Sequence, residues 1–300
     1  MRINNKVEVE LVGGLGNQLF GYFAGRYLAK KNESKIFFRI MKPNFGETVH
    51  TGTIIDFNLD GSFIFDRGVK FHRLFDLAVN KISRQFNSLA WINSKIRRRY
   101  QSHTIGFDLN LDSLTAPVRI SGYFQTWKYC YEFKNDFESS FNLTNPSNWY
   151  LELRTRAINE SVVMLHIRLG DYLEKQNEEF GSLSKEYYEN ALNSLPSELK
   201  LNPIWVFSDD IESARKLLFS VRGFNFVWIE PPQYTSPAES LLLMSFGAAN
   251  IIANSTFSWW GAMLNNCRPV VIAPTKWFRL LEDPNDLIPE SWIRVNSSWR

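Results

Sequence analysis

The stretch Val162-Val163-Met164-Leu165-His166-Ile167-Arg168-Leu169-Gly170-Asp171-Tyr172 runs from apolar, partly β-branched residues straight into His, Arg, Gly and Asp. Side chains alternate along a strand, so His166 and Arg168 leave one face while Ile167 and Leu169 leave the other. A guanidinium fixed at a strand end offers a planar fork of donors, which matches a phosphate better than a mobile ammonium does. In open α/β sheets the carboxyl ends of the strands face the ligand crevice. Anion binding is the chemistry expected here. Alone, the segment reads equally as a surface arginine beside a satisfied core histidine, so two further segments carry the weight.

Near the start, a short strand pattern from Val7 enters Gly13, Gly14 and Gly16 and then a helical pattern through Lys30. Glycine permits positive φ and close approach of backbone to a ligand, and a helix start presents unpaired N–H groups. A nucleotide or sugar fits such a turn; a plain strand-to-helix connection is the other reading. The dinucleotide fingerprint fails, because Leu19 stands where its third glycine belongs and the expected second strand, 35–40, ends without an acidic ribose partner. The third segment, Asn250-Ile251-Ile252-Ala253-Asn254-Ser255-Thr256-Phe257-Ser258-Trp259-Trp260-Gly261-Ala262, again passes from strand to hydroxyls to helix. Asn254 or Ser255 suits an N-cap, and the positive helix end behind it suits a diphosphate. Trp259 and Trp260 are expected in the core, with Thr256 and Phe257 towards a ligand.

These residues need strands and helices to hold them. From residue 161 onward the pattern alternates: strands at 161–168, 204–208, 226–229, 250–253 and 270–273, helices at 185–195, 211–219, 238–248 and 257–264. Short β-branched runs between helical patterns predict a parallel sheet covered by helices. The first half is less regular, with a strand–loop–helix start, a polar region at 42–68 and a helical region at 71–100. The turn-rich 142–148 marks the expected boundary. At 300 residues, two ordinary domains are the natural division.

Composition agrees with a globular enzyme: 44% hydrophobic and 22% charged excludes a largely disordered chain. A net charge of +3 is too small to argue for nucleic acid. Lys95, Arg97, Arg98 and Arg99 form a basic run that reads as a solvated helix face, with peripheral contact to an anionic membrane as the alternative. Cys130 and Cys267 stand far apart, with no metal-ligand spacing, so neither a structural zinc nor a disulfide framework is expected. The first residues show no long apolar stretch, and the apolar region 241–264 is interrupted by Ser245, Asn250, Asn254 and Ser255. A cytoplasmic protein is expected, at most touching the inner face of the membrane.

Taken in order, Gly13-Gly14-Leu15-Gly16-Asn17-Gln18-Leu19-Phe20, Gly122-Tyr123-Phe124-Gln125, His166 to Tyr172, Phe207-Ser208-Asp209-Asp210 and Asn254 to Ala262 resemble the α-1,2-fucosyltransferases of glycosyltransferase family eleven, which use GDP-fucose. The resemblance spans most of the chain. Leu169 departs from it, since many members carry a second arginine there. The resemblance implies an α/β fold of GT-B type, two facing Rossmann-like domains, with residues 1–145 on the acceptor side and 146–300 binding GDP-fucose. It implies inverting transfer of fucose to the 2-hydroxyl of a glycan, galactose-terminated, as in surface polysaccharide or O-antigen synthesis. No cofactor and no metal is expected, because Arg168 would stabilise the departing GDP as a metal does elsewhere. Carried over by motif position, Gly14, Leu15, Gly16, Asn17, His166, Arg168, Asp209, Ser255, Thr256 and Phe257 would line the donor site, Asp209 meeting guanine or ribose. Asp171 and His166 are the candidates for taking the proton from the acceptor.

Tyr123, Gln125 and Trp127 alternate with Phe124, as core and edge of an ordinary strand or as a wall for the acceptor. An NADP-dependent nucleotide-sugar oxidoreductase would use Arg39 but needs a Tyr-x-x-x-Lys pair, and Ala191 and Leu192 stand where Tyr187 and Tyr188 would need the lysine. A manganese-dependent GT-A enzyme would read Asp209-Asp210 as its site, without Asp-x-Asp spacing. A non-catalytic carbohydrate-binding protein would account for the aromatic residues alone.

Overall fold

The structure is a computed structural model that describes residues 5–41, 53–66, 99–170, 178–267 and 269–300. The chain divides into two compact units, Met1–Ile55 with Leu59–Glu132, and Asp56–Asn58 with Phe133–Arg300. The first unit holds a five-stranded sheet ordered β3-β2-β1-β5-β4, with β1 Lys6–Leu11, β2 Lys35–Met41, β3 Ser62–Asp66, β4 Arg99–Gln101 and β5 Val118–Ser121. Every pairing is parallel. Helix α1, Leu15–Lys31, is apolar on most sides and correspondingly buried.

Strand β1 shows why this sheet holds. Val7, Val9 and Leu11 are buried, and the alternating Glu8 and Glu10 leave the opposite face, where arginines from three other strands meet them. Glu8 Oε2 accepts from Arg39 Nε at 2.9 Å and Arg119 Nη2 at 2.8 Å, and Glu10 Oε1 accepts from Arg99 Nη2 at 2.6 Å. Burial pushes the Glu8 carboxyl up, but hydrogen bonds from Lys6, Arg39 and Arg119 outweigh it and hold the group at about 2. Arg99, expected on a helix face, is therefore a strand residue committed to a carboxylate; Lys95, Arg97 and Arg98 lie outside the described residues.

The second unit holds a six-stranded sheet ordered β11-β10-β9-β6-β7-β8. Its strands are β6 Val163–Ile167, β7 Pro203–Ser208, β8 Asn225–Trp228, β9 Ala249–Ile251, β10 Val270–Pro274 and β11 Ile293–Val295. All are parallel. Its longer helices are α2 Asn148–Glu160, α3 Lys185–Asn193, α4 Ile211–Leu218, α5 Pro237–Met244 and α6 Thr256–Met263. Each alternating element expected after residue 161 is present within a few residues, and β11 is additional. The core packs Val163, Leu165, Ile167 and Leu169 against Tyr187, Leu192, Val206 and Ile251. Strand β6 is buried along its whole length, as befits a central parallel strand.

A boundary was expected at 145/146; the compact units part at Glu132/Phe133. Asp56–Asn58 join the second unit through local contacts: Phe57 bridges Leu143, its ring lies 5.3 Å from that of Phe141, and Asn58 N donates to Asn142 O at 2.8 Å. Neither cysteine forms a disulfide, Cys130 being buried and Cys267 exposed. No helix among the described residues is long and apolar enough to cross a membrane.

Sheet order places the crevices. In the second unit the chain moves outward from β6 to β7 and β8, then returns on the other side of β6 with β9, so the loops after β6 and β9 diverge. In the first unit the same reversal falls between β1 and β5. Such a switch point opens a cleft at the carboxyl ends of the strands.

Candidate functional site

His166, Arg168 and Asp209 all converge on the switch point of the second unit. Arg168 follows β6 directly, Asp209 follows the neighbouring β7, and Ser255 to Phe257 lead from β9 into α6. Asp209 grips the turn after β6 twice: Oδ1 accepts from Leu169 N at 3.0 Å and Oδ2 lies 3.1 Å from Arg168 Nη1. Gly170 is required beside it, because a Cβ there would stand 2.3 Å from Asp209 Oδ2. Ser182 Oγ donates to Arg168 O at 3.1 Å. The guanidinium is thus aimed, half-buried, while Leu169 is driven into the core. Asp209, expected at guanine or ribose, holds the arginine and its turn in this structure.

His166 is 5% exposed, and its Nδ1 has no hydrogen-bond partner. Burial first, and the Arg168 charge second, push its pKa down to about 3. At neutral pH it is an uncharged imidazole that hydrogen-bonds rather than a strong proton acceptor. Its ring lies 5.8 Å from that of Phe257, which reaches it across the switch point.

The starts of α6 and α3 carry no side-chain capping bond from Ser255 or Ser184, whereas those of α2, α4 and α5 do. Ser147 caps α2 through Tyr150 N at 3.1 Å, Asp210 caps α4 through Ser213 N at 3.0 Å, and Ser236 caps α5 through Ala238 N at 3.1 Å. Ser255 holds the N-cap position of α6 without a side-chain capping bond. The first-turn N–H groups there keep their positive end for another acceptor. Asn254 does other work, its Nδ2 facing the carbonyls of Phe180, Gly181 and Trp277 at 3.0–3.1 Å. Thr256 and Phe257 are half-buried, whereas Trp259 and Trp260 are wholly buried as expected.

Gly14, Leu15, Gly16 and Asn17 belong to the first unit, at its own switch point. Gly14 is the N-cap of α1, and Asn17 Oδ1 accepts from Gln125 Nε2 at 3.0 Å. Gln18 Nε2 donates to Gly13 O at 2.9 Å, leaving the buried Gln18 Oε1 without a partner, as is Gln125 Oε1. Tyr123, Gln125 and Trp127 are not strand residues: β5 ends at Ser121, and positive φ at Gly122 and Phe124 turns the chain. Tyr123 is exposed and Gln125 buried. Asp171 lies outside the described residues.

Reasoning from sequence passed over Ser182 and gave Tyr187 and Tyr188 no site role. Tyr187 donates to Ile252 O at 2.6 Å and so pins the loop after β9. No periodicity announces such contacts. Arg39, the residue an NADP phosphate would need, is spent on Glu8. Among the described residues no group of three His, Cys, Asp or Glu is placed to hold a metal ion.

Residues 73–294 match the family model described as Glycosyl transferase family 11. The chain is 31% identical over 299 residues to an alpha-1,2-colitosyltransferase of Escherichia coli, covering 96% of this chain and 98% of that protein. It is 34% identical over 161 residues to the O-antigen biosynthesis glycosyltransferase WbnK of Escherichia coli, covering 53% and 52%. Among solved structures, selenomethionine fucosyltransferase NodZ from Bradyrhizobium has a similar fold, with a TM-score of 0.50 at 10% identity over 87% of this chain and 92% of that one.

Proposed function

We propose that this chain, which belongs to glycosyl transferase family 11, moves L-fucose from GDP-fucose to the 2-hydroxyl of a galactose-terminated glycan with inversion. The observation that carries the reading is the guanidinium of Arg168, aimed by Asp209 at a switch point that also receives the uncapped start of α6. As the bond from the fucose anomeric carbon to the phosphate oxygen breaks, negative charge grows on GDP. Arg168 and the α6 amides stabilise it there, in the role a divalent ion takes in other transferases. The acceptor oxygen attacks from the opposite face, forms the new bond and passes its proton to a base, for which Asp171 is the carboxylate candidate offered by the sequence. His166, neutral and short of a partner at Nδ1, contacts the nucleotide sugar, and Ser255, Thr256 and Phe257 flank it.

The full-length colitosyltransferase relative favours a second reading, a colitosyl donor. Colitose is fucose without its 3-hydroxyl, so one hydrogen bond to that hydroxyl would separate the two donors. The oxidoreductase reading has lost its phosphate arginine to Glu8.

The test is incubation with GDP-fucose, GDP-colitose, GDP-mannose or UDP-galactose, a galactose-terminated oligosaccharide, and EDTA in parallel. Acceptor-dependent GDP release from GDP-fucose, unaffected by EDTA, with a new α-1,2 linkage by NMR, is expected. Preference for GDP-colitose establishes the second reading. Preference for UDP-galactose, or activity abolished by EDTA and restored by manganese, overturns the proposal.

A further inference from the structure

The peptide group between Arg168 and Leu169 is gripped at both ends. Leu169 N donates to Asp209 Oδ1 at 3.0 Å, and Arg168 O accepts from Ser182 Oγ at 3.1 Å. A peptide group is planar, so fixing both ends fixes the plane, and with it the direction in which the Arg168 side chain leaves the strand end. Asp209 supplies one grip from the neighbouring strand. The other depends on what holds the buried Ser182 in place.

A strap from the last residues does so. Ser184 N donates to Ser298 O at 2.8 Å, Leu183 and Trp299 form an antiparallel bridge, and Arg300 N donates to Ser182 O at 2.9 Å. The strap is fastened just after β10, where Ser297 N donates to Thr275 Oγ1 at 3.0 Å and Ser297 Oγ to Lys276 O at 2.9 Å. Trp299 sets the fit: a Cβ on Gly181, which is buried at φ +69°, would stand 2.8 Å from Cε3 of that indole, so the ring lies flush on the Gly181 backbone. The same ring packs on the core of the unit. Phe180 and Gly181 present their carbonyls to Asn254 Nδ2 at 3.1 and 3.0 Å, and the next residue, Ser255, is the N-cap of α6. Residues 180–182 therefore touch the backbone of Arg168 on one side and the approach to α6 on the other.

We propose that Trp299 is a positioning residue for diphosphate binding: by seating Gly181 and Ser182 it holds Arg168 and the start of α6 in the single arrangement that lets both meet one pyrophosphate. This rests on the nucleotide-sugar reading above. Calorimetric titration of the full chain with GDP and with guanosine tests it. Ser182→Ala removes one hydroxyl and should weaken GDP about 3- to 10-fold, the worth of one neutral hydrogen bond. Trp299→Ala should weaken it at least as much, Trp299→Phe should recover part of the loss, and guanosine should bind all three as it binds the unaltered chain. In an Arg168→Ala background Ser182→Ala should add little, because the group it aims is gone. If Trp299→Ala does not fold, Trp299→Leu and Ser182→Ala decide by the same readings. Equal weakening of guanosine, or full additivity with Arg168→Ala, would mean a merely structural role and overturn the proposal. So would unchanged GDP affinity in the Ser182 and Trp299 variants alongside a loss in Arg168→Lys, a result that leaves the nucleotide reading standing. If GDP does not bind, or Arg168→Lys binds it as tightly as the unaltered chain, the nucleotide reading falls first.

Discussion

Substituting Gly170 by alanine tests whether Asp209 aims Arg168. The new Cβ would sit 2.3 Å from Asp209 Oδ2 and 3.1 Å from its Cγ, where ordinary contact begins at 3.4 Å, so the carboxylate must retreat by about 1 Å. It has no easy retreat, since one oxygen holds Leu169 N and the other Arg168. Each is a charge-assisted contact, and with the pair half-exposed their combined loss should cost about 2 kcal/mol. For a unit of this size that is a fall in Tm of roughly 5 °C. GDP should bind about tenfold more weakly, because the guanidinium loses its bearing. Differential scanning fluorimetry and titration calorimetry read both effects. Adding Asp209→Ala should make Gly170→Ala nearly silent in Tm, because the atom it strikes is gone. A Gly170→Ala protein that melts and binds GDP like the unaltered chain would refute the reasoning, as would strict additivity in the double variant.

Arg168→Lys should lower kcat/KM by about a hundredfold, since an ammonium lacks the fork, and steady-state kinetics would show retained activity if the grip is wrong. His166, held at about 3 against 6.5 when free, favours folding fully above 6.5 and loses that contribution as pH falls towards about 3; urea unfolding of His166→Phe should therefore depend less on pH between 7 and 5. The rate profile should show no step near 6.5 from this residue, and a step removed by the substitution would contradict the assignment. Glu8, at about 2 against 4.5, stabilises fully above 4.5 and loses this as pH falls towards about 2. Glu8→Gln should cost about 2 kcal/mol at pH 7, less than for a fully buried pair, and much less at pH 2 by denaturant titration.

The alternation of apolar runs made the second unit legible, down to the burial of Trp259 and Trp260 and the placing of Arg168 after a strand. Strand β11 was not, because Ile293, Arg294 and Val295 are three residues, mostly exposed, with no period to detect. Nor was the work of Asp209: a carboxylate after a strand is visible in sequence, but its reach to Leu169 depends on β6 and β7 being neighbours. The arginine partners of Glu8 and Glu10 come from β2, β4 and β5, a pairing set by sheet order rather than local pattern. The place of Asp56–Asn58 in the second unit was hidden for the same kind of reason, since Phe57, far earlier in the chain, pairs with Leu143.

The central claim is that Arg168 and the start of α6 take up the pyrophosphate of a sugar nucleotide. A crystal structure with GDP tests it most directly. The β-phosphate oxygens should lie within hydrogen-bond distance of the Arg168 guanidinium and the first-turn N–H groups of α6. A nucleotide seated elsewhere, with Arg168 touching no phosphate oxygen, would contradict it.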